Sequence, residues 1–453
     1  MKLSIVASPS RHGFAKSSAW GYYQEKVLST IDHELINTDA PTPPTGDRVL
    51  LMGSRALSLY STPGGDLFKL RGSLLRSFNK PATCTFDIQD AYDFKPDEEE
   101  KEDNGKDATA TRRKNWFFWI EADTRKIIQD EPPRVEVPKF VIRPNLSDHI
   151  RRLSSIRDSV IYLDIECDMD SDTLTVVGFA VNDSPVFVVP VYQYNHKLAY
   201  DRTTLLRFLV TFAGALTRNR VVVHNSMFDL AYLATHYRLP FGSDIYDTML
   251  AHKRFFSEVE KSLGHAISYW TWQPYHKDMG SQAKNFHQQE TMYQYNAKDV
   301  FAMRLVYLAQ QRRLAGDPAM TASVAQANSS VYPYLLASLK GFAIEKYKLA
   351  ASQVKLQARI KLLIRIIRLL LDDPKFNPDS PKQIVKYFHE KLMYKVVERT
   401  DSGAPSLGGK AMYTLALKYP NPLIQLILYY REIQKEMVMS TFHEFEFPWN
   451  ITQ

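Results

Sequence analysis

Between Val160 and Val223 the chain returns repeatedly to one kind of segment, short, apolar and β-branched, cut by turn residues. "VIYLDIE", "LTVVGFAV" and "PVFVVPV" follow one another closely, which predicts a meander of three strands. "RVVVHN" returns to the same pattern after "RTTLLRFLVTFAGAL", whose apolar residues keep helical spacing. Such an order restricts residues 146–315 to a mixed α/β unit built on one sheet. After "YNAKDVFAMRLVYLAQQRRL" the strand signals cease, and residues 316–453 read as helical, including the amphipathic "KYKLAASQVKLQARIKLLIRIIRLLLDD".

Upstream, the proline-punctuated "EPPRVEVPKFVIRPN" reads as a connection between domains. Residues 1–145 read as a further α/β domain, with "RVLLMGS", "PATCTFDI" and "NWFFWIEAD" as strand-like segments. The insertion "KPDEEEKEDNGKDATATRRK", residues 95–114, has many charges and no apolar periodicity, so it is expected to be a solvated, disordered loop. A chain of 453 residues has room for several such cores. Cys84 and Cys167 form neither a disulfide framework nor a zinc set. No apolar run approaches the about 20 residues needed to span a bilayer, and the N-terminus lacks the apolar core of a secretory signal. These features predict a cytoplasmic protein with no membrane partner. The net charge of +7 mildly favours a polyanionic one.

Three motifs carry chemistry. Asp164 and Glu166 are two apart on the first strand, so they project from one face while Ile165 faces the other way. Divalent cations between their oxygens would reverse the cost of holding them together. In "VVVHNSMFDLAYL" a buried strand leads to Asn225 and Asp229, four apart on one side of a helix start. An ordinary helix cap and a first-turn acid would use the same two residues. In "YQYNAKDVFAMRL", Tyr295 and Asp299 have the same spacing, a phenol beside a carboxylate. Four acids delivered by separate elements of one domain suit two-metal phosphodiester hydrolysis.

In this order the motifs resemble those of the DnaQ-like 3′→5′ exonucleases that carry a tyrosine in the third motif. The intervening "DIYDTMLAH" and "KSLGHAISYWTWQPYHKD" are similar to the proofreading domain of family A DNA polymerases. The resemblance implies two Mg²⁺ or Mn²⁺ ions, with Asp164 bridging both and Glu166 and Asp299 completing the first site. Asp229 would serve the second through water, Tyr295 would orient the attacking water, and Asn225 would touch single-stranded DNA. The family's apolar wedge after the DxE pair has Met169 as its candidate, in "CDMDSD".

"SLKGFAIEKYKL", "NPDSPKQIVKYFHEKL", "ERTDSGAPSL" and "LILYYREIQKEMVMSTF" resemble the start of the polymerase module of family A enzymes. That implies a mostly helical thumb segment over 316–453, with Arg431, Lys435, Ser440 and Thr441 approaching the phosphates of the primer–template duplex. "RVLLMGSRALSLY", "GDLFKLRGSLL" and "PATCTFDI" resemble a uracil-DNA glycosylase-like domain; no histidine lies near "TFDIQDAY", so an inactive accessory domain is expected.

The fold class expected is therefore α/β: a ribonuclease H-like (DnaQ-like) exonuclease domain between a glycosylase-like α/β domain and a helical thumb. The function expected is the proofreading chain of a split, phage-type family A DNA polymerase in DNA replication. Its palm and fingers would come from a second chain, and a processivity factor would join it. The alternatives are a fragment of a single-chain polymerase and a non-catalytic DNA-binding scaffold of a replisome.

Overall fold

Five strands alternate with helices at the N-terminal end of the chain: β1 (Leu3–Ala7), β2 (His33–Asn37), β3 (Arg48–Met52), β4 (Leu75–Ser77) and β5 (Lys80–Thr85). They lie in the order β2-β1-β3-β5-β4, parallel except for the β4–β5 pair. β1 and β3 are buried along almost their whole length because helices cover the sheet. One of these helices is Trp116–Ile127, where the composition of "NWFFWIEAD" predicts a strand. Its buried positions include Trp116, Trp119, Ile120, Asp123, Thr124 and Ile127, most of them three or four residues from another. That period, not the aromatic content, decides the conformation.

The second sheet contains β6 (Phe140–Ile142), β7 (Val160–Asp168), β8 (Thr173–Val181), β9 (Val186–Pro190), β10 (Arg220–Val223) and β11 (Ile245–Asp247). Its order is β11-β10-β7-β8-β9-β6. β7, β8 and β9 form the expected antiparallel meander, while β10 and β11 run parallel on the far side of β7. β6 comes from the segment read as a linker. It pairs parallel with β9 as an edge strand, where the flanking prolines cost no ladder bonds.

The computed structural model describes residues 1–8, 18–88, 91, 116–129, 131–168, 171, 173–193, 197–279, 289–341, 345–400 and 403–440. The expected disordered loop at 95–114 lies outside them. Two compact units result, Met1–Leu339 and Lys340–Gln453. The expected boundary at 315/316 falls within the first unit, because Val331 and Leu335 complete the core on one face of the second sheet. Ile161, Leu163 and Ile165 of β7 join that same core, with Phe208, Phe212 and Leu230 from the covering helices. Tyr162 points to the opposite core, built with Val300, Met303 and Val306 of the long helix Gln289–Leu314. The fold is thus mixed α/β with two mixed sheets. Among the described residues no helix is long and apolar enough to cross a membrane.

The second unit is helical. Lys346–Leu371 packs along Pro422–Ser440 around Leu363, Ile367, Phe388, Ile424 and Ile427. Buried Tyr430 donates from its hydroxyl to Asp379 Oδ2 at 2.6 Å.

Candidate functional site

The alternation of β7 turns Asp164 and Glu166 toward the face covered by the long helix Gln289–Leu314. Asp299 projects from that helix, so that Asp164, Glu166 and Asp299 each bring a carboxylate oxygen within 4.8 Å of the other two. Asp164 and Glu166 are half-buried and Asp299 is buried. Asp229 is not in this group of three. It is buried on the helix Ser226–Tyr237, and its Oδ1 accepts the backbone N–H of Ile165 at 3.0 Å.

The electrostatics follow from this crowding. Withdrawal from water, then the charges of Asp299, Glu166 and Asp229, push the Asp164 carboxyl well above its usual range. Withdrawal from water and then Asp299 raise Glu166 to about 8. Burial likewise raises Asp229 to about 8, although the Ile165 N–H works against it. Asp299 moves the other way. Burial opposes its charge, yet His276 Nε2 at 2.8 Å from Oδ1 and Lys277 Nζ at 2.6 Å from Oδ2 together hold it below the ordinary value. Burial, then Asp299, raise the half-exposed Tyr295 phenol. The Lys277 ammonium stands 4.5 Å from the centre of the Tyr295 ring.

Asn225 occupies the N-cap position of the helix Ser226–Tyr237, but in a left-handed conformation (φ 76°, ψ 61°) and without a capping side-chain bond. Asp247 does that work from β11. Its oxygens accept from Asn225 N at 3.1 Å and Ser226 N at 2.7 Å, and also from Met249 N at 2.9 Å at the start of the next helix. The Asn225 side chain is left exposed beside Met227 and Phe228, which are 42% and 39% exposed.

Met169 and Thr441 lie outside the described residues, as does the side chain of Ser440. Arg431 and Lys435 stand one turn apart on the helix Pro422–Ser440. Lys435 is exposed, whereas Arg431 is half-buried and donates to the Leu407 carbonyl at 2.5 Å.

His276, Lys277 and Asn296 were not singled out from sequence. Asn296 is the neighbour of Tyr295 in "YNAKD", and its Nδ2 donates to Asp164 Oδ2 at 2.7 Å. Its three-residue offset from Asp299 on the helix was the one signal available. His276 and Lys277 come from a non-helical stretch with no periodicity to read.

The donor set is all hard carboxylate oxygen, with more negative charge than its protein partners neutralise. Such a set is compatible with a divalent cation. Asp164, Glu166 and Asp299 are the residues that could hold it.

No family model matches the chain, and no curated protein matches it. Among solved structures it is similar to the POL domain of Pol1 from M. smegmatis, in a complex with DNA primer-template and dNTP, at 16% identity and a TM-score of 0.42. The match covers 66% of this chain and 49% of that one, so it spans about half the length of that chain.

Proposed function

We propose that the protein is a 3′→5′ exonuclease of the kind that proofreads for family A DNA polymerases, acting on single-stranded 3′ ends. The observation that carries the proposal is the meeting of Asp164 and Glu166 with Asp299 within 4.8 Å. These are the acids that the DxE and YxxxD motifs nominate.

A ribonuclease H-like unit and a glycosylase-like N-terminal domain belong to the same reading. For the first, the support is a central β7 flanked by the antiparallel β8–β9 pair on one side and the parallel β10–β11 pair on the other. For the second, it is the parallel order β2-β1-β3-β5. The helical unit would be the thumb segment, with exposed Lys435 facing the duplex backbone. DNA synthesis itself would depend on palm and fingers modules carried by a second chain, and on a processivity factor.

In the reaction, water adds to the terminal phosphorus and the P–O3′ bond breaks. The departing 3′ oxygen takes up a proton, and the products are a nucleoside 5′-monophosphate and a strand one residue shorter with a free 3′-hydroxyl. Asp164, Glu166 and Asp299 would hold two divalent ions, with Asp229 contributing through water; bound there, such ions ease deprotonation of water and stabilise the leaving oxygen. Tyr295, four residues before Asp299, would orient the water. Asn225 and the exposed Met227 and Phe228 would meet the terminal bases, since apolar and aromatic faces accept any base.

The test is degradation of a 5′-labelled single-stranded oligonucleotide with Mn²⁺. Wild type shortens it stepwise and Asp164→Ala leaves it intact. Equal degradation by both proteins overturns the proposal.

A further inference from the structure

Asn296 has no exposed surface, yet it is not surrounded by partners. Its Nδ2 donates to the backbone carbonyl of Asp164 at 3.1 Å and to Asp164 Oδ2 at 2.7 Å. Its Oδ1 is buried with no hydrogen-bond partner among the described residues. The orientation is not interchangeable. Only the NH₂ end can donate to two oxygens, and a flipped amide would set its oxygen against the Asp164 backbone carbonyl, which can only accept. A buried acceptor without a donor costs free energy, and apolar side chains of the same shape would avoid that cost. What the amide contributes therefore lies on its other side, at Asp164.

The space for this amide comes from the neighbouring strand. Gly178 stands directly across the β7–β8 ladder from Asp164. A Cβ at that position would lie 2.0 Å from Asn296 Oδ1 and 2.8 Å from its Cγ, closer than any real contact. Any side chain at position 178 would push the amide away from Asp164.

We infer that Asn296 is a positioning residue for the cation site, seated in the slot that Gly178 leaves open, and that its amide orients Asp164 toward Glu166 and Asp299. This inference rests on the cation-binding reading of the preceding subsection. Asn296 uses one of the several lone pairs of Asp164 Oδ2, and the remaining ones stay available for a cation. Partners of this sort fix the side-chain torsions of a ligand and sharpen affinity without touching the metal themselves.

The test measures Mn²⁺ binding to the full chain by titration calorimetry and electron paramagnetic resonance, together with thermal melting in the absence of cation. Asn296→Leu keeps the shape and removes the donor. It should raise the Mn²⁺ dissociation constant about 10–100-fold while the cation-free melting temperature stays near wild type. Gly178→Ala should raise the dissociation constant similarly and also lower the melting temperature. In an Asn296→Ala background Gly178→Ala should cost less stability than in wild type, because of the atoms it strikes only Val300 Cγ2, 3.0 Å from the added Cβ, remains. Should Asn296→Leu not fold, Gly178→Ala carries the affinity test alone. Wild-type binding that depends on Asp164 but is unchanged in Asn296→Leu and Gly178→Ala overturns this inference and leaves the exonuclease reading standing. No Asp164-dependent binding in wild type overturns both.

Discussion

The Asp229 carboxylate accepts the backbone N–H of Ile165 at 3.0 Å, which ties the helix Ser226–Tyr237 to β7 at the residue between Asp164 and Glu166. The helix thereby sets the position of both neighbouring acids, whatever further role Asp229 has. Asp229→Asn keeps an oxygen for the Ile165 N–H, so its denaturant-unfolding stability should stay close to wild type. Asp229→Ala leaves that N–H without its partner and should lose about 1–3 kcal/mol. Both should lose nuclease activity, and equal stability of the two variants would contradict the structural half of this argument.

The raised carboxyls give the cation-free protein a definite pH dependence. Glu166 moves from an ordinary 4.5 to about 8, and Asp229 from 3.8 to about 8, both chiefly through burial. Between those limits the folded state holds protons that the unfolded chain has released. Unfolding therefore releases protons, and stability falls as pH rises from the ordinary carboxyl range to about 8. Asp299, held below 3.8 by His276 and Lys277 against the effect of burial, adds an opposite slope only beneath that value. Melting in EDTA should show the decline, Glu166→Gln should make it shallower while Asp229 keeps its share, and Mn²⁺ should recover the stability lost at the alkaline end. A melting temperature that rises over the same interval in EDTA would contradict the assignment.

Lys277 holds Asp299 Oδ2 at 2.6 Å, in the place where a cation would compete for the same carboxylate. Lys277→Met removes that competitor. Mn²⁺ should bind about tenfold more tightly, a factor that needs only about 1.4 kcal/mol, well within the Coulomb energy of adjacent unit charges. The cation-free variant should melt lower, because buried Asp299 loses a charged partner. Calorimetric titration separates the two effects, and weaker Mn²⁺ binding would show that Lys277 helps to build the site instead.

In the N-terminal part of the chain, Arg71 Nη1 donates to both oxygens of Asp123 at 3.0 Å, with the two side chains 3% and 1% exposed. The Arg71 guanidinium also covers the Trp119 ring at 3.8 Å and bonds Ser268 on the helix Leu263–Trp270. The pair therefore joins the first sheet to the layer over the second. Asp123→Ala should cost about 3–5 kcal/mol in chemical denaturation, since it strands a buried charge. A loss under about 1 kcal/mol, the range of exposed pairs, would mean that water reaches Arg71.

Local periodicity was enough to identify the strands β7 to β10 and the faces of β7, because a period of two leaves Ile165 in the core and its acidic neighbours on the other side. Likewise, Tyr295 and Asp299 are neighbours on a helix surface wherever that helix packs. The composition of "NWFFWIEAD" favours a strand, and its three-and-four spacing overrides that in the folded chain. β6 has no local signal, because its residues become a strand only when β9 offers an edge. The contacts that shape the site lie further still from sequence. Nothing local sets Lys277 against Asp299, Asp247 beneath two helix starts, or Gly178 across from Asp164. Each of these depends on strand register and on how a loop or helix crosses the sheet, and the packed whole sets both, because many weak contacts distant in sequence are satisfied together.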